Sequence, residues 1–285
     1  MDSFRRPLGL VLPAGGAHGS WQAAALQVLA SGHGLHFDSV LGFSAGALTG
    51  AAYTLGLLGD ALRRWRAIDG GILRLAPRLF PLSLFSDRPI WESVDYALDD
   101  EQARKRTRCR FVVVTSRTKR DRHVQAVFSP EGRQGWDAPM GRHLVASCSI
   151  PLIFPPVNVD FRGEDLRLFD GGVPCEQPMS SSELAGCRDI IVLEMVRPEE
   201  VGRLQGGLLR EFDQKARETV RRLVNQGLAS LKGLADPPRI FRLAPSKPIE
   251  FMMLSFRAAN IRPALEQGEA DARAFISRPL DYLEA

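Results

Sequence analysis

The sequence lacks any run of 18 apolar residues, which leaves no obvious membrane-spanning helix. It has four cysteines, Cys109, Cys148, Cys175 and Cys187, and no two are spaced as C-x-x-C. That excludes a zinc knuckle and a disulfide framework and makes a reduced, cytoplasmic protein the expectation. Its five histidines stop at His143. No Gly-Lys-Ser/Thr follows a glycine-rich loop, so a Walker A site is excluded. Internal repeats and low-complexity tracts are also missing. Met1 to Arg6 is polar, and the short apolar run Leu8 to Ala14 leads into Gly15, Gly16 and Gly19, which reads as a strand entering a loop rather than a secretory signal.

What is present is ordinary for a globular chain: 285 residues, 45% hydrophobic and 25% charged, enough for one sizeable core. A net charge of +4 is a mild excess, and with no recognition motif it gives no reason to expect a nucleic-acid partner. Strand-like and helix-like segments alternate, which predicts an α/β fold in one domain. Leu8–Leu12, Asp38–Gly42, Arg110–Ser116, Leu166–Phe169, Asp189–Met195 and Arg239–Leu243 read as strands, with His123–Phe128 pairing as a hairpin to the third. Ser20–Ala30 and Ala45–Leu58 read as helices.

Two further stretches stand out. Leu208–Leu231 has apolar residues at helical spacing (Phe212, Ala216, Val220, Leu223, Val224, Leu228, Leu231), with Arg217, Glu218, Arg221 and Arg222 opposite. It predicts an amphipathic helix, packed on the sheet or serving as a lid or membrane-surface helix. Residues 60–90 mix arginines with Trp65, Ile72, Phe80 and Phe85, punctuated by Pro77, Pro81 and Pro89. They read as an irregular, basic, apolar insertion, either a flap over an apolar site or ordinary packing. Arg104–Arg122 carries nine Lys or Arg and one acid, Asp121; it is a solvated hairpin or a peripheral contact with anionic membrane.

Gly42-Phe43-Ser44-Ala45-Gly46 matches G-x-S-x-G between a predicted strand and a predicted helix, the context of a nucleophile elbow. A serine N-cap in a glycine turn is the plainer reading of the same residues. Upstream, Pro13-Ala14-Gly15-Gly16-Ala17-His18-Gly19 offers backbone N–H groups at a helix start, suited to an oxyanion or a phosphate. Ser44 needs a base. An α/β-hydrolase would place its histidine last, and no histidine lies beyond His143. His123 and His143 have no supporting motif and read as surface or core residues. A carboxylate remains: Asp170, ending an apolar strand before Gly171 and Gly172.

Together, in order and spacing, these pieces resemble the patatin-like phospholipase family. Its G-G-G-x-R/K-G loop corresponds to Ala14–Gly19, its G-x-S-x-G to Gly42–Gly46 and its D-G-G/A to Asp170–Gly172; Ala146–Pro151, continuing to Val157, is also similar to a family segment. The resemblance implies a three-layer α/β/α sandwich with a mostly parallel central sheet over residues 8–280, the core motifs in 8–195 and C-terminal helices in 196–280 completing it. It implies a Ser44–Asp170 dyad acting on fatty-acyl esters or phospholipids through an acyl-enzyme. Gly15, Gly16, Ala17 and His18 would form the oxyanion hole, with Ala45 as a further candidate donor, and Gly42, Gly46, Gly171 and Gly172 would support the motifs. No metal or organic cofactor is implied. An acyltransferase and a low-activity lipid-binding regulator are the alternatives. The chain departs from the pattern at Ala14 and at His18, where a partly charged histidine replaces a permanent cation, so that activity is expected to depend on His18.

Overall fold

The computed structural model describes residues 4–68, 73–118, 121–177, 180–200 and 207–284. Ile72, Lys119 and Arg120, which figure in the sequence reading, lie outside the described residues.

The five central strands pair in parallel. They are β1 (Leu8–Leu12), β2 (Ser39–Gly42), β5 (Arg110–Arg117), β9 (Asp189–Leu193) and β10 (Arg239–Leu243), ordered β10-β9-β1-β2-β5. Beyond β5 the pairing turns antiparallel, to β6 (His123–Phe128) and to β8 (Glu164–Asp170), which in turn pairs with β7 (Val157–Phe161). Every residue of β1 and β9 is buried, as expected for parallel strands covered on both faces. At the outer edge of β10, the Glu284 N–H donates to Ile240 O at 2.8 Å and Leu283 bridges Phe241.

The two faces have separate cores. On one, Leu8, Leu10, Phe111, Leu193 and Phe241 pack with α1 (Gly19–Gln27), α2 (Ala45–Thr54), α6 (Met140–Ser147) and α8 (Ala258–Ser277). On the other, Val11, Leu41, Val112, Ile190 and Ile240 pack with Val220, Val224, Leu228 and Leu231 of α7 (Leu208–Lys232). The architecture is the expected three-layer α/β/α sandwich in a single domain.

The α1–α8 crossing is close. A Cβ on Gly268 would sit 2.2 Å from the carbonyl oxygen of Trp21, and the buried Trp21 Nε1–H donates to Asp271 Oδ2 at 2.8 Å. Asp271 also takes the Ser246 N–H, so one carboxylate ties both helices to the segment after β10.

Several readings need correction. Ala45–Leu58 is not one helix: α2 ends at Thr54, and α3 (Leu58–Arg66) begins after Gly56 at φ 73°. Residues 60–90 are more regular than their prolines suggest. They hold most of α3, the antiparallel hairpin β3 (Leu75–Arg78) and β4 (Ser83–Phe85), and the start of α4 (Arg88–Ser93), with Pro89 in the first turn, where no N–H is needed. In α7, Phe212 is 61% exposed whereas Arg217 is buried. The first turns of α7 pack against polar groups of residues 249–253, and Arg217 is held there by Asp213 and by the carbonyls of Ile249 and Phe251. The charges of Arg104–Arg122 do not make one face. Lys105 pairs with Glu101 on α5 (Asp100–Arg106), Arg110 with Glu183 and Arg117 with Glu164. Arg110 and Arg117 stand at opposite ends of β5, about 23 Å apart at the usual rise per strand residue.

Gly268→Ala is expected to lower stability by about 1–3 kcal/mol, because a backbone oxygen cannot move aside as a side chain would. Urea denaturation of the two proteins measures it.

Candidate active site

The site forms where β1, β2 and β8 end. β2 turns sharply into α2 at Ser44, whose φ of 55° and ψ of −130° are strained for a residue with a side chain. The turn is possible because its neighbours lack Cβ atoms. One on Gly46 would lie 1.9 Å from Leu12 O, and one on Gly42 would lie 2.6 Å from Gly46 O. The strain is held by hydrogen bonds: the Ser44 N–H donates to Ser147 Oγ at 2.9 Å, and that hydroxyl donates to Val114 O at 2.7 Å. Ser44 is therefore a strained elbow with its side chain free, not a serine N-cap; no side-chain cap bond is made.

Asp170 ends β8 beside it. Its N–H donates to Ser149 O at 3.0 Å and its carbonyl accepts from Ser116 Oγ at 3.0 Å. The Gly172 N–H donates to Oδ1 at 2.6 Å, leaving Oδ2 buried and without a formed hydrogen bond. Burial pushes the carboxyl up to about 7, opposed by the nearby Ser44 hydroxyl and by the Gly172 N–H. The Ser44 hydroxyl thus approaches closely enough to favour the carboxylate while falling short of good hydrogen-bond geometry, as is common in unliganded sites. Gly171 passes so close to β5 that a Cβ would lie 2.3 Å from Val114 O.

The glycine-rich loop meets the same point. Gly15 packs on Met195, and Gly16 takes φ 53° with Met253 O where a Cβ would be. Not all of its amides are available. The Ala17 N–H donates to Met253 O at 2.7 Å and the His18 N–H to Gly15 O at 3.0 Å. Among the described residues, the amides of Gly15, Gly16 and Ala45 have no such partner. Two helix N-termini, of the turn leading into α1 and of α2, therefore bring unpaired N–H groups next to Ser44.

His18 departs from the expectation of a partly charged group. Its ring is fully buried and faces Phe251 O at 2.7 Å through Nε2, which must carry the proton because a carbonyl only accepts. Burial, and then the Arg217 guanidinium, hold its pKa down to about 3, so it is neutral at any ordinary pH. Arg217 Nη2 donates to the same carbonyl at 2.8 Å. His18 thus braces the loop from behind. His143 lies in the core between Phe128 and Phe161, and His123 bonds Val173 O.

Ser44, Ala45 and Gly16 open onto a cavity of about 500 Å³, walled mainly by apolar side chains such as Leu48, Trp65, Ile90, Phe154 and Phe256. The 60–90 region thus supplies cavity wall, through α3 and Ile90. Among the described residues, no cluster of His, Cys, Asp and Glu could hold a metal ion, and no helix is long and apolar enough to cross a membrane. Sequence reading missed Ser147, Ser149 and the Met253 carbonyl. The first two lie in the stretch similar to the family segment but had no residue-level role; the third comes from a loop more than 200 positions away from Ala17.

A family model described as patatin-like phospholipase matches residues 10–177. The chain belongs to the patatin-like phospholipase family. Among solved structures, VipD from Legionella pneumophila aligns with a TM-score of 0.51 at 13% identity, over 96% of this chain and 67% of that one. The ExoU–SpcU complex of the Pseudomonas aeruginosa type III secretion system aligns with a TM-score of 0.40 at 17% identity, over 99% of this chain and 53% of that one. The VipD likeness is one of fold. No curated protein sequence matches.

Two outcomes follow from this geometry. Ser147→Ala leaves the Ser44 N–H and Val114 C=O unpaired and is expected to cost about 1–3 kcal/mol, read from thermal denaturation. Asp170 binds its proton more tightly folded than unfolded, so its stability penalty is absent at low pH and grows as pH rises from about 4 to about 7. Asp170→Asn should therefore match the parent near pH 4 and exceed it by about 1–4 kcal/mol at pH 8.5, despite removing a site residue.

Proposed function

We propose that this protein is a serine acyl hydrolase acting on fatty-acyl esters or phospholipids, with Ser44 as nucleophile and Asp170 as its base. Membership of the patatin-like family supports a lipid hydrolase. The observation that carries the finer reading is the pairing of a strained Ser44, whose side chain makes no cap bond, with a buried carboxylate whose second oxygen is unpartnered, at the wall of an apolar cavity.

In the proposed reaction Ser44 Oγ attacks the ester carbonyl carbon while Asp170 Oδ2 takes the hydroxyl proton. The carbonyl oxygen becomes an oxyanion held by the amides of Gly15, Gly16 and Ala45, each such donor being worth roughly 10²–10³ in rate. Collapse of the tetrahedral intermediate breaks the C–O bond to the alcohol, which leaves with the proton from Asp170. Water then attacks the acyl-enzyme, gives a proton to Asp170 and releases the acid, and Ser44 recovers its proton. A carboxyl with a pKa of about 7 is matched to both halves, since it accepts and returns a proton at similar cost. Ser44's own amide, committed to Ser147, takes no part.

Three results test the reading. A fluorophosphonate probe should label Ser44, located by mass spectrometry, with no label in Ser44→Ala and a labelling rate reduced at least about 10²-fold in Asp170→Asn. With a soluble short-chain ester, kcat/KM should rise with pH through an apparent pKa near 7 and fall about tenfold per unit below it, because only ionised Asp170 is a base. His18→Gln should leave that limb in place, since His18 does not titrate there. Absence of label on folded protein, or a pH-independent rate between 5.5 and 8.5, would refute the dyad.

A further inference from the structure

The β3–β4 hairpin carries large apolar side chains that the fold does not cover. Leu79 and Phe80, in its turn, are 80% and 95% exposed, and Leu82 in the turn and Leu75 and Leu84 on its arms are exposed as well. Leu152, also exposed, sits beside them: Leu84 N–H donates to Leu152 O at 3.0 Å and Phe85 N–H to Ile153 O at 2.9 Å. A patch of this kind costs free energy in water and marks a surface that meets something apolar. Its position matters. Arg74 and Ile90, just before and after the hairpin, and Ile150, just before Leu152, line the same cavity as Ser44, so the patch runs up to the cavity's rim.

Its charge narrows the occupant. Residues 73–86 contain Arg74 and Arg78 and no acid, and Arg78 is half-exposed at the end of β3 with Asp87 3.7 Å away. A protruding apolar turn with arginines on its own segment and its one nearby acid at the base, on Asp87, suits the boundary between anionic headgroups and acyl chains. The four-residue β3 extends about 13 Å, enough for the turn to enter the roughly 5–10 Å that interfacial elements occupy while the cavity stays at the surface. We propose that the β3–β4 hairpin docks this protein on an anionic lipid surface, with Leu79 and Phe80 inserted and Arg78 on the headgroup phosphates, so that the rim of the Ser44 cavity faces the lipid. The purpose of the docking rests on the acyl-hydrolase reading; the docking itself is measured without turnover.

The test is co-sedimentation of the full chain with vesicles of phosphatidylcholine containing about a quarter phosphatidylserine. Leu79→Ser/Phe80→Ser should lower the partition coefficient at least about tenfold, since two large apolar side chains no longer enter the bilayer. Arg78→Glu should weaken binding severalfold, and only on the anionic vesicles. Ser44→Ala should bind as the parent does. All of the changed hairpin positions are exposed, so melting temperature should hold, and hydrolysis of a soluble short-chain ester should be unchanged in the hairpin variants. Equal vesicle binding by parent and double variant would overturn the proposal. So would a parent dimer in light scattering that the double variant converts to monomer, because a second copy would then be the occupant. If the parent binds vesicles through the hairpin but hydrolyses no ester, the catalytic reading fails and the docking stands; ester hydrolysis with hairpin-independent vesicle binding gives the reverse.

Discussion

The site depends on how closely bare backbone can approach bare backbone at the ends of β1, β2 and β8. α2 begins against the carbonyls of Leu12 and Pro13, and Gly171 lies against that of Val114, at separations that exclude a methyl group. This crowding allows the elbow to take its positive φ, and it is also why a strained residue persists: the surrounding structure over-determines it. Ser147, between Ser44 N–H and Val114 O, converts the crowding into a defined geometry. The loop at Gly15–Gly16 then has only one place to go, against Met195 on one side and the Met253 carbonyl on the other.

Asp170 sets the opposing demand. A buried carboxylate with one oxygen unpartnered is a liability for folding, and among the described residues no cation shifts it back down. Its hydrogen bonds with Ser149 O, Ser116 Oγ and the Val173 N–H fix its position, and the Gly172 N–H alone meets its carboxylate. Holding this carboxyl buried lowers stability locally once it ionises. The neutral His18 is the complementary case: it does not ionise, and its ring holds the Phe251 carbonyl of the loop that supplies Met253.

Much of this was legible in the sequence because glycine and apolar runs report local constraints. Gly42, Gly46, Gly171 and Gly172 mark close approaches, and the runs in β1, β5 and β9 mark strands buried on both faces. What was hidden depends on distant partners. Arg217 looks like a solvated residue of α7 until Asp213 and the carbonyls of residues 249–251 enclose it. The commitment of the Ala17 amide to Met253 has no local signature either. α6 and β7 escaped because Met140–Ser147 is too short for helical periodicity to declare itself, and because Val157–Phe161 follows two prolines and alternates buried with exposed on an outer strand. The hairpin at Leu75–Phe85 was obscured by Pro77 and Pro81, residues that a two-stranded ribbon tolerates and a central strand does not.

The residues beside β10 bear on how the sheet ends. The edge strand of a parallel sheet offers unpaired N–H and C=O groups as a template for another chain. Here the Glu284 N–H and the Leu283–Phe241 bridge occupy part of that rim. A second molecule adding a strand at Ile240–Phe241 would first have to displace residues 283–284, so those two residues raise the cost of self-association by sheet extension at β10.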